Sequence, residues 1–401
     1  MMTPGTEAKL AEAVAGARGP LRILGGGTRP VGAPVEGDDL SVAGLAGVEL
    51  YEPGALTLVV RAGTPLAEVE RLLAAEGQRL AFEPMDHRRL LGTAGIPTIG
   101  GVVAANVSGP RRLQAGACRD ALLGVRFVDG RGQVIRNGGR VMKNVTGYDL
   151  VKLMAGSRGT LGLLTEVAFK VLPAPESVAT VTLHGAPSGR AFDAMTRAMK
   201  SPFEVSGAAW VPAEKRVHLR IEGFAGSVAY RAERMTALLR DLGEVTVERG
   251  AEETAGLWRA IRDATALAGC AYVWRVSMAP GAMPAGLMAD LDRTADLDRL
   301  FDWAGGLCWI GMSEAQAAAY APLYGADDPM SGAARFHRDL QEAMADPELG
   351  GGHATLVKAP EALRATVPVF QPDAAPLAAL ARGLRAQFDP RGILNPGLMG
   401  P

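Results

Sequence analysis

Apolar and polar positions follow two rhythms over the first 175 residues. Short runs dense in Leu, Ile and Val, such as "LRILG" and "TLVVRAG", have the length and β-branched content of buried strands. Between them the spacing becomes helical. In "TPLAEVERLLAAEG" the apolar Leu66, Val69, Leu72 and Leu73 share one helical face, which puts Thr64 at the N-cap, Pro65 at the first helical position and Gly77 at the stop. "LLGVRFVDGRGQVI" predicts a hairpin joined around Asp129-Gly130, and "GTLGLLTEVAFKVLP" a glycine-bounded strand ending at Pro173. The N-terminal stretch predicts a short amphipathic helix; Glu7 and Glu12 leave no apolar core for a signal peptide.

After "PAPES" the texture changes. Strand-like "RVHLRIEG" and "AYVWRVSMAP" alternate with Ala-rich helices such as "SVAYRAERMTALLRDLG", as expected of a separate α+β layer. A last helix, "PLAALARGLRAQFD", leads into "PRGILNPGLMGP". The expected division is 1–175, then 176–384, then a tail over 385–401.

One segment, residues 90–110, runs 21 residues without a charge, the length of a membrane span. Its five glycines and two prolines would break a helix and strand its polar backbone in lipid, so no transmembrane segment is expected. The net charge of −1 carries no electrostatic footprint for nucleic acid. Cys118, Cys270 and Cys308 are widely spaced and form no Cys-x-x-Cys pair, which excludes a disulfide framework, a zinc site and an iron–sulfur cluster held by this chain alone. A reduced, cytoplasmic protein is the expectation.

Glycine is the informative excess: 51 of 401 residues, against a usual share of about 7%. No G-x-x-x-x-G-K-[ST] loop occurs, and Pro30 stands where a G-x-G-x-x-G fingerprint starting at Gly25 needs its last glycine. What remains is four glycine-rich segments, 25–27, 92–101, 109 and 156–162, each able to present backbone N–H groups to an anion. A helix starting near Ile99-Gly100-Gly101 would add its positive end. Together they favour a large, elongated cofactor lying against backbone.

The ordered motifs "RILGGGT", "EPMD", "PTIGGVVAANVSGPRR", "GSRGTLGLLTEV" and "FDPRGILNPG" resemble the FAD-binding fold of the vanillyl-alcohol oxidase and p-cresol methylhydroxylase superfamily. Within it, "GRVMKNVTGYDLVKLMAGSRGTLG" and "GGHATL" resemble the FAD-binding subunits of glycolate oxidases. The resemblance implies an α+β fold: a two-subdomain PCMH-type FAD-binding domain and an α+β cap with an antiparallel sheet. It also implies contacts. Gly25, Gly26, Gly27 and Thr28 would wrap the FAD pyrophosphate; Pro84, Met85 and Asp86 would border the ribityl and adenosine side. Pro97, Thr98, Gly100 and Gly101 would pass the pyrophosphate and isoalloxazine, and Asn106, Ser108 and Gly109 would hydrogen-bond along the cofactor. Gly159, Gly162, Leu164 and Thr165 would hold the adenine end, and Asn395 would reach back to the flavin ring.

No histidine lies within fifty residues of Gly26, so the FAD is expected to be non-covalent, and Leu398 follows "NPG" where relatives often carry a basic residue. The implied function is oxidation of glycolate, a small 2-hydroxy acid, to glyoxylate. The chain would work beside a larger FAD-containing subunit and an iron–sulfur subunit, peripheral at the inner membrane through that complex. A stand-alone FAD-dependent 2-hydroxyacid dehydrogenase and a non-catalytic assembly subunit are the alternatives. Five scattered histidines without an H-x-x-H pair give no metal site. The only candidates for a catalytic group are His353 and Arg275, the latter able to hold a carboxylate bidentately. A structural role is the commoner fate of both types. Trp258, Trp274, Trp303 and Trp309 are expected in the core, and Arg111 and Arg112 on phosphate, on a partner or in solvent.

Overall fold

Four sheets, the smallest including the short pair Gln78–Arg79 with Leu172–Pro173, organise the chain in a computed structural model that describes residues 1–139, 147–280, 297–321, 328–346 and 351–400. Residues 140–146 of the "GRVMKNVTGYDL" motif lie outside the described residues. Strand Leu21–Leu24 pairs in parallel with Asp38–Ser41. A five-stranded antiparallel sheet follows in the order Val48–Glu52, Thr57–Arg61, Leu163–Lys170, Leu122–Val128, Val134–Gly138. Residues from 177 onward build an eight-stranded antiparallel sheet that begins at Val245–Arg249 and ends with Leu307–Met312, Tyr272–Met278 and Gly352–Lys358.

Most local expectations hold. The helix Glu7–Gly16 starts at Thr6, whose hydroxyl accepts from the Lys9 N–H at 3.3 Å, and buries Leu10 and Val14. Its last-turn carbonyls are capped from the other end of the chain, where Arg391 donates to Val14, Ala15 and Ala17. The 122–138 hairpin turns at Asp129, whose carboxylate accepts from the N–H groups of Arg131 and Gln133. The four tryptophans are buried. One expectation needs correction. Helix Leu66–Ala75 starts one residue later than the sequence suggests: Pro65 is the cap residue, and the Thr64 hydroxyl is turned away, accepting from Gly47 N–H and donating to the Arg61 carbonyl. The last helix, Ala375–Phe388, leads into the tail as the sequence suggests.

The glycine-rich part and the large sheet meet at a buried ion network. Arg111 clasps Glu222 through Nε and Nη2 at 2.8 and 2.7 Å, Arg79 adds a bond at 2.8 Å, and Arg220 clasps Glu83 at 3.0 and 2.8 Å. Arg111 is therefore neither solvated nor free for phosphate. Burial would raise the carboxyl of Glu222, yet the Arg111 fork and the charges of Arg220 and Arg79 hold it far below its usual range. Arg220 also lies 4.5 Å over the Trp258 ring.

Candidate functional site

The loop after strand Leu21–Leu24 owes its glycines first to close backbone contact. A Cβ on Gly26 would lie 1.5 Å from the Ile96 carbonyl oxygen, and one on Gly95 would lie 1.8 Å from that of Gly26. A Cβ on Gly25 would meet Thr98 Oγ1 at 2.7 Å. These segments are pressed face to face. Gly27 differs: its φ is +70°, and nothing lies within 4 Å of an added Cβ. It is the position where backbone faces open space.

That space is a cleft of about 410 Å³, within the range of small-molecule and cofactor sites. Gly25, Gly26, Gly27 and Thr28 form one wall; Thr98, Gly100 and Gly101 form another; Gly159, Gly162, Leu164 and Asn395 close it. Thr98 caps the short helix Ile99–Ala104, its hydroxyl accepting from Gly101 N–H at 3.3 Å. Leu398, at the position of the missing basic residue, also lines the cleft. Asn395 works on the wall itself. It sits at φ +46°, its Oδ1 accepts from Ile23 N–H at 2.7 Å, and its Nδ2 donates to the Arg158 carbonyl at 2.8 Å. Asn395→Ala strands both backbone groups, and we expect it to cost about 1–3 kcal/mol. A thermal unfolding midpoint equal to wild type would contradict this role.

The other sequence-chosen residues are not among those lining the cleft. Pro84 and Met85 are buried, and Asp86 binds Arg88 while its N–H donates to Asp263 at 2.9 Å. The Pro97 carbonyl accepts from Leu66 N–H at 2.8 Å. Asn106 Oδ1 accepts from Arg119 N–H, Ser108 Oγ from Cys118 N–H, and the Gly109 carbonyl from Trp303 Nε1. Thr165 donates to Glu7 Oε1 at 2.6 Å. Their polar groups are committed to protein partners.

The sequence reading missed Arg29 and Arg158. Both line the cleft, each beside a glycine motif, and that adjacency was the available signal. Arg29 Nε and Nη2 are buried without a partner, as is His87 Nδ1. Burial lowers Arg29 to about 10, and it lowers Arg158 to about 10 with help from the charges of Arg29 and Arg275. Burial likewise lowers Arg275 to about 10, with Arg112 repelling it. His87 is held well below its ordinary value by burial, then by the three arginine charges. Arg112 and Arg275 both lie over the Trp303 ring, at 4.5 and 5.1 Å. His353 stands exposed on strand Gly352–Lys358. Among the described residues no group of three or more His, Cys, Asp or Glu could hold a metal, and the cysteines are free and buried.

An open glycine at positive φ and orphaned arginine nitrogens, set along one cleft, fit a phosphate-bearing ligand. Comparison with known proteins agrees. Residues 1–138 match the model of an FAD binding domain. Over 387 residues the chain is 34% identical to glycolate oxidase subunit GlcE of Escherichia coli (strain K12), covering 95% of this chain and 92% of that one. The chain belongs to the GlcE family. GlcD of Bacillus subtilis (strain 168), also named as a glycolate oxidase subunit, is 38% identical over 126 residues, 31% of this chain and 25% of its own. Among solved structures, a 4-ethylphenol oxidase from Gulosibacter chungangensis superposes with a TM-score of 0.72 at 14% identity, covering all of this chain and 88% of that one. An alkyldihydroxyacetonephosphate synthase superposes with a TM-score of 0.66 at 17% identity, over 98% and 76%. This GlcE-family chain thus carries an FAD-binding domain in the PCMH-type fold. Among its described residues no helix is long and apolar enough to cross a membrane.

Proposed function

We propose that this chain is the FAD-binding subunit of a complex that oxidises glycolate to glyoxylate, working beside a larger FAD-containing subunit and an iron–sulfur subunit. The supporting observation is the end-to-end likeness to a glycolate oxidase subunit, together with a cleft framed by the glycine segments of that likeness. The chain divides at 175/176 and 384/385 in this reading, and it reaches any membrane only through the complex.

Bound FAD supplies a two-electron acceptor for hydride leaving the acid's α-carbon. The chain's own residues bind and orient it. The Gly27 backbone and the neighbouring N–H groups take the diphosphate, and Thr98, Gly100 and Gly101 border it. Gly159, Gly162 and Leu164 line the far end, while Asn395 holds strand and turn in place. Pro84, Met85, Asp86, Pro97, Asn106, Ser108, Gly109 and Thr165 shape the walls through the hydrogen bonds and packing described above.

Attachment is non-covalent in this reading. Cys118, the thiol whose ionisation Arg29 promotes, is fully buried and pushed strongly towards its neutral form. Acid precipitation of the purified chain is expected to leave all its flavin in the supernatant; a yellow pellet would show a covalent link. Purified alone, the chain should be yellow, and a correctly folded chain that stays colourless after incubation with FAD would overturn the assignment.

A further inference from the structure

Three deeply set arginines, two of which line the cleft, lack a carboxylate partner among the described residues: Arg29, Arg158 and Arg275. Their isolation is not general. Arg79, Arg111 and Arg220 are also set deep, and they divide Glu83 and Glu222 between them. Asp86 acts on Arg29 from a distance, but its oxygens are taken by Arg88.

The three come from different parts of the fold. Arg29 follows the glycine loop, Arg158 precedes Gly159, and Arg275 stands on strand Tyr272–Met278 of the eight-stranded sheet. Arg158 lies 4.6 Å over the Phe370 ring, and Arg275 lies 5.1 Å over that of Trp303. An aromatic face steadies a guanidinium without satisfying its N–H edge, which stays available for a planar anion. In register, Arg275 opposes Thr355 and Ser277 opposes His353, so these four project from one face of the sheet. That face is the less buried one; Trp274, Val276, Ala354 and Leu356 fill the other.

His87 lies within the field of all three arginines. Its Nδ1 is buried without a hydrogen-bond partner. Like charges gathered in a dry site are costly unless an anion joins them. A fork geometry matches a carboxylate, and an unpartnered imidazole nitrogen matches the hydroxyl beside it.

We propose that Arg29, Arg158 and Arg275, with His87, form a subsite for the carboxylate and 2-hydroxyl of a small acid, so that this subunit binds substrate-class acids itself. This rests on the FAD-subunit reading, which puts a flavin in the adjoining cleft. A second source of the same negative charge is the cofactor's diphosphate, and the experiment separates the two.

Purified full-length chain, with and without FAD, is titrated with oxalate by calorimetry, with ethylene glycol as the carboxylate-free control and inorganic pyrophosphate as the phosphate probe. Saturable oxalate binding is expected in the FAD-loaded chain. Arg275→Met should weaken it at least tenfold, Arg275→Lys less so, with FAD content unchanged and no response to ethylene glycol. Equal oxalate affinity in wild type and Arg275→Met overturns the subsite. So does loss of FAD in Arg275→Met with pyrophosphate, and not oxalate, binding the empty chain, because the arginines then serve the cofactor. Should the chain take up no FAD, the functional reading fails separately. The FAD-free titration still decides the subsite: oxalate binding sensitive to Arg275→Met upholds it, and no binding overturns it.

Discussion

Glu222→Ala should lower the stability of this protein by about 3–5 kcal/mol, the usual penalty for removing one partner from a buried ion pair. The carboxylate accepts from Arg111 and Arg79 at 2.7–2.8 Å, with Arg220 Nε 3.7 Å away, and its side chain is only 4% exposed. Removing it leaves Arg111 and Arg220 to share Glu83 and takes from Arg79 the carboxylate it binds. Glu222→Gln keeps the shape and an acceptor, so it should cost less. Urea denaturation of the full chain measures both; an Ala variant with the wild-type midpoint would show that the network contributes nothing.

The same network sets the acid limit. Folded Glu222 and Glu83 both have depressed pKa values: burial opposes ionisation, but the Arg111 fork holds Glu222 charged, and the charges of Arg220 and Arg111 hold Glu83. A depressed folded pKa means stability is complete above the unfolded value, about 4.3 for Glu, and is lost as pH falls through the folded value. Glu222→Ala should therefore flatten the acid limb below about pH 4. Asp302 works in the opposite sense. Burial raises it to about 7, so its contribution is full below the unfolded value, about 3.9 for Asp, and fades as pH rises through 7.

Gly26→Ala is the second large effect. Its Cβ would sit 1.5 Å from the Ile96 carbonyl oxygen, a backbone atom that cannot rotate away. Segment 95–98 must move, taking with it Thr98 and the helix it caps. Overpacking of this kind costs about 1–3 kcal/mol or more, and FAD retention should fall at least tenfold. Gly27→Ala separates this from a generic loss of loop flexibility. It meets nothing, so its fold should suffer only the positive-φ strain of about 1 kcal/mol, with any loss falling on FAD affinity. Flavin content and melting temperature of the two variants decide the matter. A well-folded, flavin-replete Gly26→Ala would contradict the packing described here.

The contrast between these neighbours shows where sequence reading stopped. Three consecutive glycines look alike in a chain and all invite a phosphate. Only the opposing segment 95–98 distinguishes Gly25 and Gly26, spent on packing, from Gly27, which is open. Similarly, the "PRR" arginines gave no hint of their fates. Arg111 neutralises Glu222 from the large sheet and Arg112 lies over Trp303, because partners more than 100 residues away reach them.

By itself the sequence determined the local elements, the glycine-framed cofactor domain and its family, since periodicity, turn chemistry and motif order act over a few residues at a time. The tertiary structure alone decided which motif residues line the cleft and which are spent on wall hydrogen bonds. It alone gathered Arg29, Arg158, Arg275 and His87 into one field and gave Glu222 its three arginines. The physical reason is that charge and burial depend on distance in space, and these groups come from elements whose meeting no local pattern encodes.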